Sequence, residues 1–356
     1  MIGERLERAR NAKGMSMREL ALAANVSAMA ISKYERNINT PGSDVLLSLS
    51  KALDVKIAYF FQQAGSPLEE LAFRKHAAFS KSDEKKILAD VLDTLERWSI
   101  LDDVLPSKGQ QFVSPENVPA LINSEQDIEL AAEAVRESWN LGTNPIPSLI
   151  DTLEQQGIRV ITTSNLNAAN FNGLSASYGD RKVIAIGSKW PGDRQRFTLA
   201  HELAHLVIEP LLGGNFNTQK AIEKACDHFA GAFLVPGVKV LELLGEHRRW
   251  LEPRELYQLK HEFGVSMAAW SYRALAKSVI EKTTHGKFWG YLKKQGWHLE
   301  EPGDAYPPEQ SRLFKVKLYH AIAEDLIAES KAAELLNISL KDLRNWSKEN
   351  AHVADK

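Results

Sequence analysis

A single cysteine, Cys226, leaves no partner for a disulfide within the chain, which fits a reducing compartment. No apolar run approaches the ~18 residues of a membrane span. The opening residues, MIGERLERAR, lack the apolar core of a secretory leader. Neither charge dominates: 44 Lys and Arg stand against 46 Asp and Glu, a net charge of −2. No internal repeat or low-complexity tract is evident. These absences argue against a disulfide scaffold, a membrane protein and a globally basic nucleic-acid binder. The expectation is a soluble cytoplasmic protein whose charge must be read region by region.

What is present is ordinary globular composition, 44% hydrophobic and 25% charged over 356 residues, enough for two or three domains. Residues 1–63 carry nine Lys and Arg against six Asp and Glu, a mild positive bias compatible with phosphate. This block reads as short helices: GERLERARNAKG to Gly14, then starts at Ser16 (a capping box with Glu19), Ser27 and Ser43. Helices so short must pack on one another. In residues 64–120, Ser80 and Asp83 form another capping box. Ile87, Leu88, Val91, Leu92, Leu95 and Trp98 fall on one helical stripe. That stripe is read as packing within the chain, with a dimer seam as the alternative. LPSKGQQFVSPENVP then reads as a flexible joint.

From residue 124 the pattern is helix, helix, strands, helix. Ser124 and Asp127 cap the first helix, which Gly142 ends, and Gly157 follows the second. IRVIT and KVIAIG are strand candidates, with FNGLSASYG a weaker one between them. Asp193 and Thr218 are expected to cap the next two helices. The rest is helical, apart from a loop at EEPGDAYPPEQ.

The stretch RFTLAHELAHLVIEP carries the chemistry. His201 and His205 lie four apart, so a helix stacks their imidazoles on one face, where both can ligate one Zn2+. Glu202 sits about 100° round the helix, placed to reach the attacking water rather than the metal. A catalytic zinc needs a third protein ligand. Glu223, on the following helix, is the candidate, and Asp227 one turn on can hold the outer ring nitrogen of His201 or His205. His228 and Glu209 are rival third ligands, disfavoured by direction and by Pro210. Cys226 reads as a small core residue.

RFTLAHELAHL, the Glu223–Asp227 pair and FAGAFLVP resemble the ImmA/IrrE-type metallopeptidases. The resemblance extends from about residue 125 to 280. It implies a gluzincin-like fold: helices, a small antiparallel sheet, then two zinc helices. It also implies zinc on His201, His205 and Glu223, Glu202 as general base, and cleavage of repressor proteins. Residues 1–63 resemble the XRE, or Cro/repressor-type, helix-turn-helix through MRELALAANVSAMAISKYERN. Its second helix would enter the major groove of an operator, bringing Ser27, Ala28, Met29 and Lys33 to double-stranded DNA, with Lys33, Arg18 and Arg36 on phosphates. Where that family often has glutamine, this chain has Met17 and Ala28, so hydrogen-bonded base readout is reduced.

The expected fold is mostly α with a small β-sheet: an all-α helix-turn-helix domain at 1–63, a helical linker at 64–120, an α+β metallopeptidase domain at 121–282 and a helical C-terminal region at 283–356. Within the last, SKAAELLNISLKDLRNW has a helix-turn-helix cadence and is read in preference as a packed cap. The expected function is a homodimeric DNA-binding regulator whose zinc endopeptidase domain cuts a regulatory protein. The alternative is an antitoxin that binds a cognate toxin through a zinc domain without turnover. For oxyanion stabilisation Tyr178, His247, His261 and Tyr272 stay unranked.

Overall fold

The computed structural model describes residues 2–61, 81–107, 109–163 and 171–351. It is mostly helical with one three-stranded sheet, as the patterning predicts. The N-terminal block comprises α1 (Ile2–Ala12), α2 (Met17–Ala23), α3 (Ala28–Glu35), α4 (Ser43–Leu53) and a 3-10 turn at Ile57–Phe61. Ser16 and Glu19 cap α2 reciprocally, and Ser27 accepts the Ala30 N–H at 3.1 Å to open α3. Leu6, Leu20, Ile31, Leu49 and Phe60 close a small core. Inside it Arg10 is held by both carboxylate oxygens of Glu35, at 2.5 and 2.9 Å.

The apolar stripe of residues 87–98 lies on α5 (Lys81–Val104); the Ser80 cap falls outside the described residues. The helix is packed along its length. Ile87, Val91, Leu92 and Leu95 cover one face of the sheet. Glu96 binds both Arg5 and Arg8 of α1, while Leu101 and Leu105 enter a C-terminal helical cluster. Its apolar stripe is therefore occupied within the chain. The segment after it is not a free joint either. Val118 is buried, Phe112 packs on the main core and Arg181 donates to the Gln110 carbonyl at 2.7 Å.

Next come α6 (Glu125–Ser138) and α7 (Leu149–Gln155), each opened by a serine cap. The left-handed residue nearest the end of α6 is Asn140, at φ 54°, ahead of Gly142. The sheet has β1 (Ile158–Thr163), β2 (Gly173–Tyr178) and β3 (Arg181–Gly187) in the order β1-β3-β2. The sheet is mixed, correcting the expected antiparallel one: β2 and β3 form a hairpin, but β1 lies parallel to β3. The hairpin returns β3 between its two neighbours, so β3 runs along β1. Alternate residues explain the unbroken run KVIAIG. Ile184 and Ile186 face the main helical core, while Val183 and Ala185 face α5. A strand covered on both faces has no polar side.

Helix α8 (Gly192–Val207) lies on the inner face of the sheet and α9 (Gln219–Leu234) packs on α8 and α6, followed by α10 (Gly237–Leu244), α11 (Pro253–Phe263), α12 (Met267–Ala276) and α13 (Lys282–Gln295). Thr218 caps α9 as expected, but Asp193 does not cap α8. It is buried inside the first turn and pairs with Lys260 of α11 at 3.3 Å. A strap near residue 309 returns across α7, where Glu309 accepts the Leu149 and Ile150 N–H groups (3.0 and 3.1 Å) and binds Arg196. The chain ends in α14 (Leu313–Ala323), α15 (Glu329–Leu335) and α16 (Leu340–Ala351). Among the described residues, no helix is long and apolar enough to cross a membrane.

Candidate metal centre and DNA-facing helix

Helix α8 delivers His201, Glu202 and His205; α9, crossing it, delivers Glu223 and Asp227. The ligand atoms of His201, His205 and Glu223 all lie within 4.8 Å of one another. His201 Nε2 stands 3.2 Å from His205 Nε2 and 3.3 Å from Glu223 Oε2. Around a tetrahedral zinc, ligands about 2.0–2.1 Å from the metal stand roughly 3.3 Å apart, so the separations fit.

The outer ring nitrogens sharpen this. His201 Nδ1 donates to Asp227 Oδ1 at 2.8 Å, and His205 Nδ1 donates to Glu209 Oε2 at 2.5 Å. A carboxylate can only accept, so each Nδ1 carries the proton. Both Nε2 lone pairs then point at each other, an arrangement that calls for a cation between them. Without one, a proton takes the place. Burial opposes charge on His201, but Asp227 and then Glu223 outweigh it and raise its pKa to about 10.

Asp227 thus serves His201 as its sequence position permits. Glu209 bonds the outer ring nitrogen of His205 and is not part of the His201, His205 and Glu223 cluster. The spacing from His205 to Glu209 is i, i+4, and that was the available signal. His228 turns away to Glu129 at 2.7 Å, a carboxylate that also takes Arg273. Burial works against ionised Glu129, yet His228 and Arg273 hold its pKa well below the usual range. Cys226 is buried in the core, with its Sγ 3.5 Å from His205 Nδ1, and burial raises its thiol pKa. Gln219 donates to Glu223 Oε1 at 2.6 Å, steering the other oxygen towards His201.

Glu202 is 2% exposed and lies against the start of β2. A β-carbon on Gly173 would stand 2.6 Å from Thr198 Cγ2 and 3.0 Å from Glu202 Oε1. Only glycine lets the strand pass the carboxylate this closely, a role that no local sequence signal revealed. Of the four oxyanion candidates, His261 packs on Tyr257 and Tyr306, and Tyr272 on His285 and Trp289. Tyr178 ends β2 beside the α5 cluster, and His247 is exposed.

At the N-terminal block, Arg18, Met29 and Arg36 are exposed, with Met29 68% accessible. Lys33 is half-buried, Ala28 packs against the small core, and the Ser27 hydroxyl is engaged as the α3 cap. The first turn of α3 thus offers a thioether and backbone rather than hydrogen-bonding side chains.

Residues 153–275 match the family model of the IrrE N-terminal-like domain, and residues 6–60 match that of the helix-turn-helix. The chain joins a helix-turn-helix domain to an IrrE N-terminal-like domain. Similar curated proteins include two uncharacterized HTH-type transcriptional regulators. The one from Sinorhizobium fredii is 36% identical over 61 residues, 17% of this chain and 43% of the relative. The one from Rickettsia prowazekii is 38% identical over 61 residues, 17% of this chain and 47% of the relative. The chain thus spans less than half the length of these relatives. A Mycobacterium tuberculosis transcriptional regulator of known structure is 18% identical, covering 50% of this chain and 51% of its own, with a TM-score of 0.32. The matched IrrE N-terminal-like segment holds the whole histidine–carboxylate cluster, and the helix-turn-helix segment holds α2 and α3.

Proposed function

We propose that this chain is a DNA-binding transcriptional regulator whose IrrE N-terminal-like domain is a zinc-dependent endopeptidase acting on a regulatory protein. The observation that carries it is the pair of imidazoles whose Nδ1 atoms are both tied to carboxylates, leaving two Nε2 atoms 3.2 Å apart with Glu223 beside them. His201, His205 and Glu223 would hold the ion; when bound, it polarises a carbonyl and acidifies water. Glu202 accepts the proton of the attacking water and returns it to the leaving amine. Asp227 and Glu209 keep the imidazoles in the ligating tautomer. Strand β2 is a sheet edge whose first residue touches Glu202, so an extended substrate segment can pair along it and bring a peptide bond to the carboxylate. On the DNA side, Met29 meets a thymine methyl, while Arg18, Lys33 and Arg36 take phosphates.

Glu202→Gln tests the proposal, because the amide cannot take a proton while the ligands stay in place. Cells expressing wild type should acquire new protein N-termini that Glu202→Gln cells lack, with equal zinc in both purified proteins. Identical N-terminal profiles and identical reporter repression would overturn the peptidase and leave the zinc domain as a partner-binding module, as in an antitoxin.

A further inference from the structure

The last three helices repeat the first three, at a constant offset and without a gap. Leu6 and Ala9 of α1 correspond to Leu318 and Ala321 of α14; Leu20 and Ala21 of α2 to Ala332 and Ala333 of α15; Ile31 of α3 to Leu343 of α16. All ten are buried. The turn repeats atom for atom. In the first module Asn25 has φ 54°, Val26 N–H bonds the Ala21 carbonyl at 2.9 Å and Ser27 caps the next helix at 3.1 Å. In the second, Asn337 has φ 55°, Ile338 N–H bonds the Ala333 carbonyl at 3.0 Å and Ser339 caps the next helix at 3.1 Å. Seven-residue helices precede both turns. The sequence shows a helix-turn-helix cadence in the second unit but few identities with the first; the shared features are burial, one left-handed asparagine and one serine cap.

The C-terminal module does pack. Leu101 of α5 and Leu105, just beyond its end, join Leu318, Ala321, Ala332 and Leu343, Trp98 meets Phe314 edge-on at 4.9 Å, and Arg97 donates to the Leu335 carbonyl at 3.2 Å. This packing uses the inner face. On α16, Lys341, Asp342, Arg344 and Asn345 are exposed. Asp342 is engaged with the Ser339 cap at 2.6 Å, and Arg344 pairs with Glu329 at 2.7 Å in an exposed contact that a phosphate can replace at small cost. Lys341 occupies the position of Met29, and Asn345 that of Lys33. Where α3 has a thioether near its start, α16 therefore has an ammonium and, one turn on, an amide able to bond a base edge.

We propose that α14–α16 form a second helix-turn-helix and that α16 binds double-stranded DNA, giving each chain two DNA-reading modules mounted on α5. The inference goes beyond the N-terminal assignment and can fail without it. The test is titration of the full chain with a random-sequence duplex, since phosphate contacts dominate non-specific binding. Lys341→Ala/Arg344→Ala is compared with Lys33→Ala/Arg36→Ala and wild type across salt concentrations. The C-terminal pair should leave the melting temperature unchanged, weaken binding several-fold and lower the log–log salt slope by nearly two, at about 0.9 for each lost contact. Asn345→Asp, which introduces a negative charge on the same face, should weaken binding as well. If the α3 pair weakens binding and neither α16 variant does, the second module is overturned while the N-terminal assignment stands. If those α16 variants alter self-association instead, the helix belongs to a protein contact and the proposal is equally overturned. Absence of duplex binding by wild type overturns both.

Discussion

The backbone of Gly173 passes so close to Glu202 that a β-carbon on the glycine would stand 3.0 Å from the carboxylate oxygen. The strand start and the proposed base are thus mutually placed, and the same β-carbon would stand 2.6 Å from Thr198 Cγ2. Gly173→Ala should push β2 and the carboxylate apart. Zinc content should remain at wild-type level, because no ligand is touched. The yield of new N-termini in cells should fall at least tenfold, an expected loss of about 1.4 kcal/mol or more in transition-state stabilisation. Wild-type cleavage by Gly173→Ala would remove the close approach from the mechanism.

Glu209 orients His205 from the same face of the chain, at 2.5 Å. Glu209→Gln keeps a hydrogen-bond acceptor but loses the charge. Zinc affinity should drop by about 10–100-fold, the range for partners that hold a ligating histidine. Glu223→Ala should cost more, and His228→Ala, on the far side with Glu129, little. Competition with a chromophoric chelator ranks the three; a His228 effect as large as that of Glu223 contradicts the ligand set.

Glu129 ties three helices together through His228 of α9 and Arg273 of α12. Its depressed pKa means a stabilising contribution that is complete above the unfolded carboxylate pKa and lost as pH falls through the folded one. Glu129→Gln leaves Arg273 buried without its counter-charge and should destabilise by about 3–5 kcal/mol at neutral pH. Urea unfolding of the variant checks this, and a change below about 1 kcal/mol would show the pair to be dispensable.

Glu154 behaves in the opposite sense. Burial raises its pKa to about 7, against hydrogen bonding from Ser311. A carboxyl whose folded pKa lies above the unfolded value costs nothing below the unfolded pKa, and its cost grows as pH rises to the folded one. Glu154→Gln removes that cost, on the order of 3 kcal/mol. Its melting temperature should exceed that of wild type at pH 8 and converge with it near pH 4.5; parallel melting curves at both pH values would contradict the assignment.

Much of the fold is legible because its signals are local. Capping boxes at Ser16 and Ser124, the α5 stripe and the unbroken apolar run of β3 all act within a turn or a strand. The histidine pair and Glu202 are legible for the same reason, since a helix stacks i and i+4 wherever it lies. Asp193 shows the limit. Its residue type fits a cap, but Lys260, far along the chain, takes it as an ion-pair partner.

The sequence by itself determined the helices, the turns, the two domain types and the residues able to ligate a metal, through short-range hydrogen bonding and hydrophobic period. Tertiary structure alone decided that His201 receives Asp227, why residue 173 must be glycine and where the 109–119 segment is fastened. It also placed α5 under the sheet and brought two matching helix-turn-helix units onto that helix. Such matters turn on distances between residues remote in sequence, and these exist only once burial of apolar surface has brought the elements together.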